Sequence, residues 1–290
     1  MIADAESLKF SQEQATPIVS VIIPFFDGHE WLSECVTSVI TQHYTHWEII
    51  LVDDGSGEQA TAIAKRFAEL YPGRIFYVDH PGHENRGVTA SRNTGIGNST
   101  GSMIAFLDAD DKWLPDKLQH QVSILNKHPE VSMICEASLF WHSWINPSAS
   151  DEIILVGGFE DRIFTPPMLL QLLYPLGTGA APCPTGIMIT KAAFIRSGGF
   201  EELFSGEYQL YEDQAFLCKV YLKEIVFISG TANNLYRKRE GSLSGSASDL
   251  AHYRKVRLFF LNWFENYLSS DSEAAIGILP LVKQAKAENI

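Results

Sequence analysis

The sequence predicts a doubly wound α/β fold built on a mostly parallel sheet. Three observations carry that prediction. Short apolar, β-branched runs alternate with segments whose apolar residues recur at helical spacing. The runs are apolar throughout, the pattern of strands covered on both faces. Unusual residues cluster where three of the runs end, and in such sheets ligands bind beyond the carboxyl ends of the strands.

The elements follow in order. Residues 19–25 (VSVIIPF) form the first strand, and Leu32, Cys35, Val36, Val39 and Ile40 share a helical face behind it. Residues 48–52 (EIILV) form the second strand and run into Asp53-Asp54-Gly55-Ser56. Ala60, Ile63, Phe67 and Leu70 mark the next helix, and residues 74–78 (RIFYV) the third strand. A polar segment from Asn85 leads into a helix over residues 91–96. Residues 103–107 (MIAFL) then run straight into Asp108-Ala109-Asp110-Asp111. Pro115 suits a helix first turn, and Leu118, Val122 and Leu125 continue that helix. Residues 131–135 are a fifth strand.

Residues 141–186 read as a loop-rich, open region suited to a variable partner. Residues 186–190 resume a strand, Tyr211-Glu212-Asp213 opens a helix, and residues 225–228 are a late strand. Residues 240–249 are rich in Gly and Ser and read as flexible. A helix over residues 249–268 carries an aromatic stripe including Tyr253, Phe259, Phe260, Trp263 and Tyr267. That stripe could pack on the domain, form a homodimer contact or lie on a membrane surface; packing is the favoured reading.

Composition narrows the function classes. A chain of 290 residues, 46% hydrophobic and 20% charged, supports a globular core and not a disordered chain. A formal net charge of −13 repels nucleic-acid phosphates, so no nucleic-acid partner is expected. The basic runs Arg237-Lys238-Arg239 and Arg254-Lys255 read as solvated faces. Cys35, Cys135, Cys183 and Cys218 match no zinc or redox spacing and read as reduced, buried thiols of a cytoplasmic protein. Residues 1–16 are polar and acidic, unlike a signal peptide, and no apolar run reaches the roughly 18 residues that span a bilayer.

The strand ends carry the chemistry. Three carboxylates within residues 108–111 repel one another unless a cation offsets them. Two carboxylates at i and i+2 in an extended turn can face one hard divalent ion, with phosphate oxygens completing its shell. A capped structural turn is the competing reading. Asp54 can accept hydrogen bonds from the imide of a uracil ring, while Ser56 or Asp54 caps the following helix. Side-chain alternation points one of Phe25 and Phe26 into the core and the other at the ligand, where an aromatic could stack on a nucleobase. Arg92 could balance the carboxylates or contact a diphosphate, against a solvated surface arginine. Glu212 and Asp213 at a helix start are favoured by the helix dipole alone.

Together these motifs resemble the family 2 glycosyltransferases of GT-A fold: VSVIIPFF, VDDGS, NRGVTASRNTG, FLDADD, Gly198-Gly199-Phe200-Glu201 and Tyr211-Glu212-Asp213, in the family's order over residues 18–245. The resemblance implies a Rossmann-like sheet flanked by helices, with a C-terminal helical extension. It divides the chain into an N-terminal tail (1–17), a catalytic domain (18–245) and a C-terminal helical segment (246–290). The domain has a nucleotide-sugar half (18–135) and an acceptor half (136–245). The implied activity is inverting, metal-dependent transfer of a hexosyl or N-acetylhexosaminyl group. The donor is a nucleoside diphosphate sugar, expected to be a UDP sugar. The acceptor is a glycan or lipid-linked hydroxyl in cell-surface polysaccharide synthesis.

Carried over position by position, Pro24, Phe26 and Asp54 would surround the base, and Arg92 would lie near the diphosphate. Asp108 would contact ribose or metal, and Asp110 would bind Mn²⁺ or Mg²⁺. Asp213 would be the general base, with Glu212 the alternative. Two positions depart from the pattern. Arg239 stands where many members have a histidine that helps hold the metal, and it could pair with the leaving diphosphate instead. Phe25-Phe26-Asp27 replaces a more usual Thr-Tyr-Asn. Two rivals come from other classes. A nucleotidyltransferase would show a glycine-rich basic loop after the first strand, which residues 24–30 lack. A non-catalytic glycan-binding module would not need candidates for both metal and base.

Overall fold

A computed structural model describes residues 17–239, 250–269 and 272–288. The tail expected over residues 1–17, but for Pro17, and the flexible stretch expected over residues 240–249 lie outside the described residues.

The first half alternates as the periodicity predicts: β1 (Val19–Phe25), α1 (His29–Ile40), β2 (Trp47–Asp53), α2 (Glu58–Leu70), β3 (Ile75–Asp79), α3 (Val88–Gly97) and β4 (Met103–Phe106). The four strands are parallel, in spatial order β3-β2-β1-β4. Every position of β1 and β2 is buried, which is why their sequences do not alternate. Helix α3 approaches this sheet closely at Gly95. A Cβ there would meet Ile22 Cγ2 at 2.7 Å and Val52 Cγ2 at 2.9 Å, so only glycine fits.

The second half is β5 (Lys112–Trp113), α4 (Lys117–Lys127), β6 (Met133–Glu136), β7 (Ser138–Trp141), β8 (Glu152–Ile154), β9 (Arg162–Phe164), α5 (Met168–Leu172), β10 (Ile187–Thr190), α6 (Lys191–Ser197), α7 (Glu212–Lys223), β11 (Val226–Ser229) and β12 (Asn234–Arg237). Strands β10, β6, β11 and β9 extend the main sheet to eight. The sheet is therefore mixed: β10 runs antiparallel to both β4 and β6, and β9 antiparallel to β11. Strands β5, β12, β7 and β8 form a separate four-stranded sheet beside the strand ends. Residues 141–186 are loop-rich, as expected, but hold β8, β9 and α5, elements of three to five residues that were not expected. Segments that short hold less than two periods of any pattern, so periodicity does not reveal them.

Helices α8 (Leu250–Ser269) and α9 (Ser272–Ala287) follow. Val256, Phe260, Leu261, Phe264 and Leu268 are fully buried, and Phe260 stacks on Tyr211 with ring centroids 5.0 Å apart. The aromatic stripe therefore packs on the domain. Among the described residues, no helix is long and apolar enough to cross a membrane. Cys35, Cys135 and Cys218 are buried free thiols, whereas Cys183 is only partly buried, contrary to expectation.

Candidate active site

The three marked strand ends meet. Pro24 near the end of β1 and Phe26 beyond it, Asp54 beyond β2, and Asp108 and Asp110 beyond β4 line one open cleft of about 600 Å³. Glu212 at the start of α7, and Tyr236, Arg237 and Arg239 from the β12 end, line it as well.

The first wall follows from strand alternation. Phe25 is 2% exposed and lies in the core, while Phe26 is 58% exposed and faces the cleft. The turn after β2 is closed by Asp53, whose Oδ1 accepts the Ser56 N–H at 2.8 Å, and not by Asp54 or Ser56. Asp54 has another structural task. Its carboxylate accepts the N–H groups of Arg86 at 2.7 Å and Gly87 at 3.0 Å, fixing the loop that leads into α3. Asp27 Oδ1 accepts the Gly57 N–H at 2.7 Å, which stitches the β1 and β2 loops together.

Arg92 lines the cleft from a buried position. It is 2% exposed, donates to Asp108 Oδ1 at 2.7 Å and Glu212 Oε1 at 2.5 Å, and lies over the Phe200 ring at 5.2 Å. Burial works against its charge, but Glu212 and Asp108 outweigh that and hold it protonated. Its two terminal nitrogens each meet a carboxylate, while its Nε has no hydrogen-bond partner, so Arg92 serves as an internal counter-ion; the surface reading does not hold.

The acidic turn after β4 is pinned from the β12 end. The Arg237 N–H reaches Asp111 Oδ1 at 2.8 Å, its Nε the Asp110 carbonyl at 2.6 Å, and its Nη2 Glu34 Oε2 at 2.6 Å. Arg237 is 5% exposed, and its guanidinium lies near the rings of Trp141 and Trp144. The solvated reading of residues 237–239 therefore fails at Arg237. The signal was available in the adjacent aromatic and the acidic turn, but their proximity appears only in three dimensions. Arg239 donates to Asp110 Oδ2 through Nη2 at 2.9 Å and Nε at 3.0 Å. Burial and the neighbouring Asp108 carboxylate raise Asp110 above the usual aspartate range.

Two carboxylates open α7. Burial pushes Glu212 up to about 7, with Arg92 acting against it and Asp213 adding to it. Its Oε2 has no hydrogen-bond partner. Asp213 is partly buried, lies outside the residues lining the cleft, and accepts the Gln214 N–H at 2.7 Å. Burial pushes it up to about 6, against the Gln214 hydrogen bond.

The donor set suits a hard divalent ion. Asp108 and Asp110 face the cleft with side chains 27% and 28% exposed. Among the described residues no third His, Cys, Asp or Glu joins them in a metal-holding group. Magnesium is ordinarily held by one or two carboxylates together with substrate phosphates, and this pair meets that requirement.

The chain is similar to known proteins in sequence and in fold. Residues 20–204 match the family described as Glycosyl transferase family 2. Glycosyltransferase GlyA of Streptococcus pneumoniae is 29% identical over 231 residues; the match covers 78% of this chain and 31% of that relative, so the chain spans about a third of its length. S. aureus TarS 1–349 in complex with UDP-GlcNAc superposes with a TM-score of 0.64 at 19% identity, over 93% of this chain and 71% of that one. The Pyrobaculum calidifontis mannosyltransferase PcManGT, in complex with GDP-Man and Mn²⁺, gives 0.58 at 17% identity, over 95% of this chain and 75% of that one. At such identities these two structures speak for the fold.

Proposed function

The chain belongs to glycosyl transferase family 2, and on that premise we propose that it is an inverting, metal-dependent transferase of a sugar from a UDP donor to a glycan or lipid-linked hydroxyl in cell-surface polysaccharide synthesis. One observation carries the reading: a single cleft joins an exposed aromatic, Phe26, and the acidic turn of Asp108 and Asp110 to Glu212, the residue before Asp213. The structural likeness to a UDP-GlcNAc complex supports the choice of UDP, and the GDP-Man complex keeps GDP as the alternative to test.

The residues take the following roles. Phe26 stacks on the base, with Pro24 and the Asp54-anchored loop beside it. Asp108 and Asp110 hold a magnesium or manganese ion, whose charge offsets that of the diphosphate. Arg92 keeps Asp108 and Glu212 in place. Asp213 takes the proton of the acceptor hydroxyl as that oxygen bonds to the anomeric carbon and the bond to the diphosphate oxygen breaks. Asp213 suits the role because, among the described residues, no cation forms an ion pair with its carboxylate, whereas Arg92 holds that of Glu212. A second reading, Glu212 as base, is favoured by its place in the cleft wall and its unpartnered Oε2.

The test is turnover with pooled UDP and GDP sugars and Mn²⁺, using the full chain. Release of nucleoside diphosphate, absent in Asp213→Asn, is the expected result. Thermal stabilisation by sugar nucleotides without any turnover would identify a binding module, and pyrophosphate release a nucleotidyltransferase. Neither is compatible with the proposal.

A further inference from the structure

Both cleft-facing carboxylates of the acidic turn already have a cation. Asp108 pairs with Arg92 and Asp110 with Arg239. The two pairs differ in what it costs to open them. Arg92 is 2% exposed and shared with Glu212, so displacing it would strand buried charge. Arg239 has a side chain 36% exposed, and among the described residues its one ion-pair partner is Asp110. Its guanidinium lies over the Trp31 ring at 4.8 Å. Two residues earlier, Arg237 is bonded to Asp110, Asp111 and Glu34, which anchors the backbone from which Arg239 projects. The anchor is fixed and the partly exposed guanidinium beyond it can turn.

Charge then restricts what can enter. Six carboxylates line the cleft, Asp27, Glu30, Asp54, Asp108, Asp110 and Glu212, against three guanidiniums, Arg92, Arg237 and Arg239. A diphosphate arriving alone could draw Arg239 to itself, but that would leave Asp110 bare beside the phosphates. A divalent ion arriving alone would have to evict Arg239 with no new anion to receive it. Arriving together, each supplies what the other's entry removes.

We propose that the Arg239–Asp110 ion pair stands in for the metal, so that a divalent ion and the nucleotide diphosphate bind synergistically, the ion replacing Arg239 at Asp110 and Arg239 passing to the diphosphate. This rests on the nucleotide-diphosphate reading of the cleft given above. The synergy is reciprocal by linkage: each ligand raises the affinity of the other by the same factor.

Calorimetric titration tests it with Mn²⁺ alone, UDP alone, and UDP at saturating Mn²⁺, each repeated with GDP. Arg239→Ala and Arg239→Gln are compared with the parent chain, Gln keeping the packing of the stem over Trp31, and melting temperatures checking the fold. The parent chain is expected to bind Mn²⁺ poorly alone, and Mn²⁺ to tighten nucleotide binding about fivefold or more, an ordinary coupling between sites. Both variants should bind Mn²⁺ alone more tightly than the parent, while the mutual enhancement shrinks. A purely structural Arg239 would not improve metal binding on removal. If Mn²⁺ binds the parent and both variants equally while UDP or GDP still binds, the stand-in role is overturned and the nucleotide reading survives. If neither nucleotide binds the parent with or without Mn²⁺, both are overturned.

Discussion

The Arg92 guanidinium lies 2.5 Å from the Glu212 carboxylate, across 120 residues of sequence, and its other nitrogen lies 2.7 Å from Asp108. One buried cation therefore ties the end of β4 to the start of α7. The side of the cleft proposed for the donor and the side proposed for proton removal share a single counter-ion. Neither can be repositioned without disturbing the other.

Arg92→Ala should accordingly destabilise the fold as well as impair transfer. Removing one member of a buried ion pair leaves an uncompensated charge, at a cost of about 3–5 kcal/mol, and the partial exposure of Asp108 places this site near the lower end. Denaturant unfolding would measure it. Arg92→Lys keeps the charge but cannot serve two carboxylates with one planar fork, so it should retain more stability than Arg92→Ala while still losing activity. Parent-like stability in Arg92→Ala would show that the bridge contributes little.

The pH dependence has a defined direction. Burial raises Asp213 to about 6 and Glu212 to about 7, so both bind protons more tightly in the folded state than in the unfolded chain. A base must begin ionised, so kcat/KM should rise with pH through that window and level off above it. Asp213→Asn should lower turnover by about a hundredfold or more, the ordinary contribution of a general base, and leave nucleotide affinity nearly unchanged. Raised carboxylates contribute stability that is lost as pH rises through their folded values. Asp213→Asn should therefore melt higher than the parent at pH 8, with the advantage gone at pH 4. Loss of nucleotide binding in a folded Asp213→Asn protein would argue against the assignment.

Phe25 and Phe26 allow a paired test, because neighbours in the chain have opposite environments. Phe26 is 58% exposed toward the cleft, so Phe26→Ala should leave stability nearly intact and weaken nucleotide binding, with stacking on one base worth about 1–3 kcal/mol. Phe25 is 2% exposed in the core, so Phe25→Ala should cost about 3–5 kcal/mol of stability. Equal nucleotide affinity in Phe26→Ala and the parent, by calorimetry, would remove Phe26 from the base site.

Much of this was legible in the residues. The β1 and β2 runs are apolar throughout because both faces are covered, and the strand ends that carry Phe26, Asp54 and Asp108 are marked by residues a buried strand would not otherwise hold. The antiparallel insertion of β10 was not legible, since a strand's direction is set by its connections and not by its own four residues. Arg237 was misjudged for a related reason: it owes its burial to Glu34, far along the chain, and no local pattern reports such a partner. Arg92 does balance carboxylates, as its sequence context suggested, but only the fold shows that Glu212 is one of them.

Helix α8 packs its aromatic stripe against the start of α7. Val256, Phe260, Leu261, Phe264 and Leu268 are fully buried, and Phe260 and Tyr253 sit against Tyr211, the residue before the Glu212-Asp213 pair. Phe260→Ala should cost about 3–5 kcal/mol, as for any large aromatic removed from a packed core, and should reduce activity by loosening the start of α7. An apolar face spent in this way is not available to a bilayer, so the full chain is expected not to float with liposomes. Co-flotation that persists in an Arg254→Glu, Lys255→Glu variant would assign membrane contact to apolar insertion and overturn the packing account. Parent-like stability in Phe260→Ala would overturn it from the other side.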